Sequence, residues 1–328
     1  GEYMKELVPG VFLSEIELPK NPLKYINNYI IKSEGETLMI DTAFNTPVII
    51  EQMEKVLDEH DIEPESLKLF LTHLHSDHTG LASYFEERGT TIYMGDVDGE
   101  YVKSMVEEDS IHWKNVQHQA ELQGLQEDEL LLNDHPGFKF RPKKAINYHA
   151  KNPSDTLDVG EFHFEVIDLK GHTPGILGLY EPEKKLLFCG DHILSKITPN
   201  ITFWGFQYGD ILGTYFENLK KVYDLDVEHV FGSHREQIQD HRKRIDELFK
   251  HHEHRLEEIL KALKEGPMTV RMVTKAMSWD ISAKTWDDFP KSQKWFAAGE
   301  AHAHLEHLYH QGHLLREEKD GILYYSLK

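Results

Sequence analysis

Short apolar runs alternate with amphipathic stretches along the first two thirds of the chain. Runs rich in Ile, Leu, Val and Phe are typical of buried β-strands, and helical spacing of apolar residues follows several of them. We predict strands over 26–31, 37–40, 67–71, 162–167, 177–180, 185–189 and 229–231, and helices over 48–57 and 214–223. Strands and helices thus recur in two similar halves, which predicts a layered α/β sandwich.

The last third has a different pattern. A long helical stretch over 236–263 ends at Gly266-Pro267, and a second helix follows over 292–310. Two strand-like pieces at 314–316 and 322–325 flank a turn suited to a hairpin. Helix, helix and hairpin form the outline of a small C-terminal winged-helix domain. We therefore predict two domains, 1–264 with a helical insertion near 96–150, and 265–328.

Composition narrows the function classes. The 328 residues include 36 Lys and Arg against 57 Asp and Glu, a net charge of −21, so a polyanionic partner is not the default expectation. One cysteine excludes a disulfide framework and a Cys-based zinc cluster. No run approaches the roughly 20 apolar residues of a membrane span, and the first 15 residues lack the continuous apolar segment of a signal peptide. We expect a cytoplasmic protein without membrane partners.

The strongest candidate for chemistry is the segment that follows the predicted strand 67–71. His73, His75, Asp77 and His78 place three imidazoles and a carboxylate within six residues. Imidazole and carboxylate ligands suit zinc, iron or manganese. Three later residues also follow apolar strands and adjoin glycine or a glycine-rich turn: His172, Asp191 and His234. Taken singly, each of these three residues is more often a helix cap or a hydrogen-bonded core residue than a metal ligand.

Together these residues resemble the signature of the metallo-β-lactamase superfamily, His-x-His-x-Asp-His followed by a later His, an Asp and a final His. The resemblance covers roughly residues 8–235 and implies a four-layer αββα sandwich with a two-metal site on its edge. It implies one divalent ion, most simply zinc, held by His73, His75 and His172, a second held by Asp77, His78 and His234, and Asp191 as a bridge between them. Asp41 would support the site from outside the ligand shell, or cap the helix near Thr46.

The implied reaction is hydrolysis, because two divalent ions lower the pKa of a shared water and give a metal-bridging hydroxide near neutral pH. Asp77 would orient that hydroxide or carry its proton to the leaving group. His192 is a candidate oxyanion partner or acid, with simple packing as its alternative. Cys189 closes an apolar strand, which favours a buried inert thiol.

The substrate is less well specified. Four aromatic residues within Phe203–Tyr208 either line an apolar pocket beside the metals or pack against the insertion. The pocket alternative favours a small-molecule ester, thioester or lactone. A basic cluster at Arg141, Lys143 and Lys144 keeps an anionic substrate open, with a solvated loop as the ordinary alternative.

The C-terminal region resembles a branch of metallo-β-lactamase-fold hydrolases with a winged helix, to which a mammalian RNA endonuclease is similar. This leaves two alternatives, a phosphodiesterase or endoribonuclease and a metal-dependent regulator that binds nucleic acid through the winged helix. A mononuclear iron dioxygenase of the same fold is a further one. Residues 266–328 hold eight basic and eight acidic side chains, so packing beside the active site or homodimer formation is favoured over nucleic-acid binding.

The chain contains 22 histidines, of which the metal signature uses five. Two further runs lie on predicted helices, at 251–254 and at 302–310, and we expect them to form solvated or packing faces rather than a second metal site.

Overall fold

In the computed structural model, which describes residues 2–328, two β-sheets pack face to face. The first sheet has its strands in chain order: β1 (Lys5–Val8), β2 (Val11–Glu17), β3 (Tyr25–Ser33), β4 (Glu36–Ile40), β5 (Leu67–Leu71), β6 (Thr91–Met94) and β7 (His149–Ala150). The second lies in the order β12, β11, β10, β9, β8, with β8 (Thr156–Val159), β9 (Phe162–Asp168), β10 (Leu177–Glu181), β11 (Leu186–Gly190) and β12 (His229–Gly232). Strands β4 to β7 pair in parallel, as do β11 and β12.

Ten α-helices lie among the residues 2–328 that the structure describes. They are α1 (Pro47–Glu59), α2 (Ser76–Thr79), α3 (Ala82–Glu87), α4 (Asp96–Met105), α5 (Ile111–Leu122), α6 (Pro136–Lys139), α7 (Ile211–Asp224), α8 (His241–Ala262), α9 (Val270–Ala276) and α10 (Lys291–His310). Helices α1 and α3 share a core with the first sheet, whereas α7 and α8 pack on the second. The predicted α/β sandwich with helices on both outer faces is confirmed.

Strand sequences follow from burial on both faces. In β5, Leu69 and Leu71 face the helices, and Phe70 points into the core between the sheets. Successive side chains of a strand alternate between faces, so a strand covered on both sides is apolar wherever it is covered. Lys68 is the exception in β5, and it is partly exposed and pairs with Glu36 at 3.1 Å. This is why the run 67–71 carries so strong a signal.

The structure adds strands that the pattern does not predict, chiefly β1, β2, β6 and β8. They are short or half exposed, and their apolar residues are interrupted by polar or charged ones. The predicted helix over 236–263 begins later, at His241, because the Asp240 side chain accepts a hydrogen bond from the Lys243 N–H and caps the helix there.

The C-terminal region forms its own small core. A third sheet, in the order β13, β15, β14, consists of β13 (Met268–Thr269), β14 (Leu314–Lys319) and β15 (Ile322–Leu327). The predicted hairpin joins β14 and β15 through Asp320 and Gly321, both with positive φ as a tight hairpin turn requires. Residues of α8, α9, α10 and this sheet share one apolar cluster. The winged-helix assignment and the domain boundaries stay predictions.

Membrane insertion has no support in the part of the chain that the structure describes. No helix within residues 2–328 combines the length and apolar character needed to cross a bilayer.

Candidate metal centre

The candidate ligands lie where strands of both sheets end. His73 and His75 follow β5 directly, and Asp191 follows β11. His234 comes just after β12, and the remaining three come from α2 and from the loop after β9: Asp77, His78 and His172. Loops that leave the carboxyl ends of strands meet at one edge of a sheet. Residues separated by up to 161 positions in the chain are thereby brought to one place.

The seven side chains form two groups in which one ligand atom per residue lies within 4.8 Å of all the others. Asp191 belongs to both groups, which is the place the family resemblance gives a bridging ligand. The assignment of each residue to one ion stays a prediction. The groups are His73, His75, His172 and Asp191, and Asp77, His78, Asp191 and His234.

The inward-facing nitrogen and oxygen atoms of these side chains suit the binding of a divalent ion. His73 Nε2 is buried and has no hydrogen-bond partner among the described residues, and the inward nitrogens of His78 and His234 meet the carboxylates of Asp77 and Asp191. Buried polar atoms without partners are costly, and they are rare unless a water or an ion satisfies them. A set of imidazoles and carboxylates without thiolate suits zinc, iron or manganese.

Four of the histidines are oriented by a partner on the outer ring nitrogen, which leaves Nε2 directed inward. Such outer contacts fix both ring position and tautomer in metal sites. The pairs are His73 Nδ1 with Thr72 Oγ1 at 2.8 Å, His172 Nδ1 with the Asn200 carbonyl at 2.7 Å, His234 Nδ1 with the Tyr25 carbonyl at 2.8 Å, and His78 Nδ1 with Asp41 at 2.8 Å.

Asp41 supports the centre and does not cap the following helix. Its carboxylate accepts hydrogen bonds from the Thr72 N–H, the Thr72 hydroxyl and His78 Nδ1, each at 2.8 Å. The N-cap of α1 is Thr46. Asp41 has a φ of 63°, a costly conformation for a residue with a side chain. The hydrogen bonds that it accepts hold it there.

The electrostatics of the metal-free centre couple its acids to its histidines. Burial raises the pKa of the Asp191 carboxyl, but the positive charges of His78 and His234 outweigh burial and hold that pKa well below its usual value. Burial lowers the pKa of His78, yet Asp191, Asp77 and Asp41 raise it well above the ordinary value. Without a metal, His78 therefore retains a proton that a metal ion must displace.

Asp98 is a structural support that the sequence analysis missed. It is buried in the first turn of α4, and one of its oxygens accepts hydrogen bonds from the Leu74 N–H at 2.9 Å and from the Thr173 hydroxyl at 2.7 Å. Leu74 lies between two candidate ligands and Thr173 follows a third. Asp98 thus connects the loop after β5, which carries His73 and His75, to the loop after β9, which carries His172. Its sequence context, an acidic helix start, carries no signal of that task.

The predicted catalytic residue His192 has a buried ring. Its ring is fully buried and packs edge-on against Tyr215, with 5.2 Å between ring centroids. It is not among the residues that line the cavity beside the ligands. Burial lowers the pKa of this ring to about 3. An oxyanion partner or acid must reach the substrate, so this geometry favours the packing alternative for His192, and its catalytic role stays a prediction. Cys189 is also buried, and burial raises the pKa of its thiol to about 12, as expected for an inert thiol.

A cavity of about 1380 Å³ opens beside the ligands, and His75, Asp77, His172 and Asp191 form part of its wall. The aromatic segment combines both predicted alternatives. The Trp204 ring lies 6.4 Å from His75 and lines the cavity, and it also packs against the insertion, 5.4 Å from the Tyr101 ring and 6.3 Å from His112. Phe206 is 45% exposed and lies outside the lining.

The basic cluster at the insertion is paired. Arg141 forms an ion pair with Glu108 at 2.6 Å, and Lys144 forms one with Glu87, also at 2.6 Å. Neither Lys143 nor Lys144 lines the cavity. The solvated-loop alternative describes these side chains better than an anion site.

Comparison with known proteins identifies the class. Residues 22–234 match the metallo-beta-lactamase superfamily, and residues 256–328 match the metallo-beta-lactamase-like C-terminal domain. The chain belongs to the metallo-beta-lactamase superfamily, and it is an enzyme of the metallo-hydrolase class.

Three relatives show the range of this similarity. The solved metallo-beta-lactamase family protein TTHA1429 of Thermus thermophilus is 25% identical with a TM-score of 0.81, over 98% of this chain and 100% of that one. Hydroxyacylglutathione hydrolase GloC of Haemophilus influenzae is 31% identical over 38% of this chain and 48% of its own length. The atrochrysone carboxyl ACP thioesterase of Aspergillus chevalieri is 22% identical over 81% of this chain and 73% of its own.

Proposed function

We propose that the protein is a dinuclear metal hydrolase that cleaves a thioester or ester with an apolar acyl group. The observation that carries the proposal is the wall of the cavity beside the ligand groups, which Leu74, Phe44 and Trp204 line together with His75. An apolar wall with a few convergent polar groups favours an acyl chain over a charged substrate.

The charge of the cavity supports an uncharged acyl end. Among the residues 2–328 that the structure describes, Arg255 is the one Lys or Arg side chain in the lining, and it already pairs with Glu258 at 2.8 Å. The acidic residues of the lining are more numerous: Asp77, Glu100, Asp191, Glu258, Asp280 and Glu300. A phosphodiester substrate is bound largely through Lys and Arg, so the endoribonuclease alternative finds little support here.

Basic residues of the C-terminal region are also engaged. Arg271 and Lys294 bond to the buried Asp128 at 2.8 and 3.2 Å, and Arg316 bonds to the buried Glu306. These contacts hold the region together and remove three of its eight cations from any nucleic-acid surface. They weigh against the regulator alternative. The names of GloC and of the Aspergillus enzyme, a hydrolase of an acylglutathione and a thioesterase, agree with the acyl substrate class.

In the proposed reaction, the seven candidate ligands would hold two divalent ions, most simply zinc, and these ions would supply a polarised carbonyl and a bound water of lowered pKa. The residues of the chain then position the substrate and handle the proton. In the metal-free centre, burial raises the pKa of Asp77 but the charge of His78 holds it well below its usual value, so the carboxylate is ionised and can serve as a metal ligand. We propose that the same carboxylate also accepts the proton of the attacking water. Water adds to the acyl carbon, the carbon–sulfur or carbon–oxygen bond breaks, and Asp77 passes the proton of that water to the leaving thiolate or alkoxide.

The test is a substrate panel assayed with metal-loaded protein. It contains acyl thioesters of increasing chain length, matched oxygen esters, a lactone, a bis-aryl phosphodiester and single-stranded RNA. We expect turnover of thioesters or esters that increases with chain length and is lost in Asp191→Ala. Turnover of the RNA or phosphodiester with no acyl hydrolysis would contradict the proposal.

A further inference from the structure

One short segment, residues 200–204, connects the metal centre to the C-terminal region. At its start, the Asn200 carbonyl accepts a 2.7 Å hydrogen bond from His172 Nδ1. At its end, Trp204 lines the cavity beside His75. Whatever holds this segment in place also sets the direction of a candidate ligand and the shape of the cavity.

Helix α10 of the C-terminal region holds the middle of this segment. The Phe203 N–H donates to the Gly299 carbonyl at 3.1 Å, and the Phe203 ring stacks on His302 with 3.8 Å between centroids. Gly299 and Thr202 approach closely, because a Cβ at position 299 would overlap the Thr202 hydroxyl oxygen and lie 3.4 Å from its Cβ.

Gly299 is otherwise an unfavourable residue for its place. It is buried within α10, and alanine is the better helix former at such a position. The structure gives one reason for its presence, the close approach of Thr202. Outside the helix itself, that side chain supplies the only described atoms within 4 Å of the missing Cβ.

We propose that Gly299 and Phe203 are positioning residues through which α10 sets the geometry of His172 and thereby the affinity of one of the two metal positions. The C-terminal region is then a working part of the active site rather than an appended module. This inference rests on the proposed function only in taking His172 as a metal ligand.

The test compares Gly299→Ala in two backgrounds, the parent and Thr202→Ala. The dissociation constant of Zn²⁺ is measured for each equivalent by competition with a chromophoric chelator, and the melting temperature of the metal-free protein is recorded alongside. In the parent background we expect one of the two Zn²⁺ equivalents to bind about tenfold more weakly, within the range seen for changes outside the ligand shell.

The Thr202→Ala background distinguishes an effect that reaches the metal centre through Thr202 from an effect confined to helix α10. Alanine at 202 removes the hydroxyl that the new methyl group would overlap, so Gly299→Ala should there cost less than about threefold in affinity. A purely local effect of the substitution on the helix predicts the same result in both backgrounds. Equal losses in both backgrounds, or unchanged affinity for both equivalents in the parent, would overturn the inference.

A second variant covers the case in which Gly299→Ala does not fold. Phe203→Ala removes the stacking on His302 without introducing a clash, and we expect a loss of about threefold or more in Zn²⁺ affinity, again confined to one equivalent. Affinity within twofold of the parent would contradict the inference. Because the readout is metal binding, it stands independently of the substrate panel: a parent protein that hydrolyses no acyl substrate would defeat the proposed function and leave this result valid.

Discussion

Two clusters of buried histidines lie in this molecule, and they differ in what surrounds them. In the metal centre, His73, His78 and His234 face the carboxylates of Asp77 and Asp191. In the second cluster, which we define as the buried histidines His252, His302 and His304 of α8 and α10, the rings pair with uncharged partners. There, His252 Nδ1 lies 2.9 Å from His304 Nε2, His304 Nδ1 meets the Glu300 carbonyl at 2.7 Å, and His302 Nδ1 meets Gln123 at 3.0 Å.

The pKa values of the two clusters differ only in part for this reason: the carboxylates raise the pKa of His78 and of His234, whereas burial lowers the pKa of His73 and of His75, as it does in the second cluster. Burial acts on both and favours the neutral ring. In the metal centre the carboxylates overcome burial and raise the pKa of His78 well above its usual value. In the second cluster the hydrogen-bond partners of the rings carry no negative charge, and burial lowers the pKa of His302 and of His304 to about 3. The direction of the pKa shift therefore does not separate the two clusters by itself. What sets the metal centre apart is that its buried histidines share carboxylates at strand ends.

The largest predicted difference between the clusters is in metal content and activity. Asp191→Ala or His75→Ala should lose at least about a hundredfold in hydrolysis and bind less than two metal equivalents, because each removes a ligand. His252→Gln is the matched control in the second cluster. It should lower the melting temperature, since it disturbs a buried hydrogen bond, but keep the parent's metal content by elemental analysis. Loss of metal from His252→Gln would erase the distinction between the clusters.

A pair of buried aspartates sharpens the comparison. Asp98 connects the two histidine loops, so Asp98→Ala should weaken metal affinity by about 10- to 100-fold. Asp128 is also buried, but it serves Arg271 and Lys294 in the C-terminal core. Removing it leaves Lys294 without its carboxylate and Arg271 with Glu127 alone, and should cost about 3–5 kcal/mol in the free energy of unfolding. Denaturant titration and chelator competition on both variants measure the two quantities. The interpretation fails if Asp98→Ala binds metal as tightly as Asp128→Ala does.

Neighbouring aromatic residues touch one cluster each, which gives a smaller contrast. Trp204 lies beside His75 in the metal centre, and Phe203 stacks on His302 in the second cluster. Trp204→Leu should raise KM for an acyl substrate by about tenfold, equivalent to about 1.4 kcal/mol of binding, with a smaller change in kcat. Trp204→Phe should retain most of the affinity because it keeps a flat apolar surface. Steady-state kinetics decide, and an unchanged KM in Trp204→Leu would remove this ring from the substrate site.

The smallest predicted effect concerns pH. His302 and His304 have pKa values of about 3 in the folded protein, against an ordinary value of 6.5. Between these values the unfolded chain binds more protons than the folded chain, so the free energy of unfolding decreases as the pH falls below 6.5. The melting temperature of the metal-free protein should fall by about 2–4 °C per kcal/mol lost.

A single variant tests which groups cause this decrease of the free energy of unfolding with falling pH. Removing one titrating group, as in His304→Gln, should make the decline between about pH 6.5 and about pH 4.5 shallower than in the parent. A slope identical to the parent's would show that acid sensitivity arises elsewhere.

The comparison also shows what the sequence could predict. His73, His75, Asp77 and His78 are close in the chain, so their spacing alone indicates a metal site. Asp98 supports the same loops, but it reaches them from the insertion, and nothing in its neighbours reveals that approach. His192 illustrates the reverse case: its place beside Asp191 in the chain suggests a catalytic role, whereas its ring is buried against Tyr215 and lies outside the lining of the cavity.

The contact between the C-terminal region and the rest of the chain is equally difficult to predict from the sequence. The apolar face of the helix over 291–310 predicts the helix itself, but its contact with 202–203 joins residues almost 100 positions apart. Glycine at 299 has no local signal, because its reason is the side chain of a distant residue. The half-exposed strands β1 and β2 escape prediction for a related reason: charged residues interrupt their apolar pattern, and only the sheet shows which face is buried.

Elemental analysis of the purified, chelator-treated and reconstituted protein tests the central claim most directly. The two groups that share Asp191 predict two divalent metal equivalents per chain, one of which is lost in His172→Ala, with acyl hydrolysis that rises as the second equivalent binds. A parent protein that binds at most one equivalent with full activity, or hydrolyses acyl substrates equally well after the metal is removed, would contradict the account.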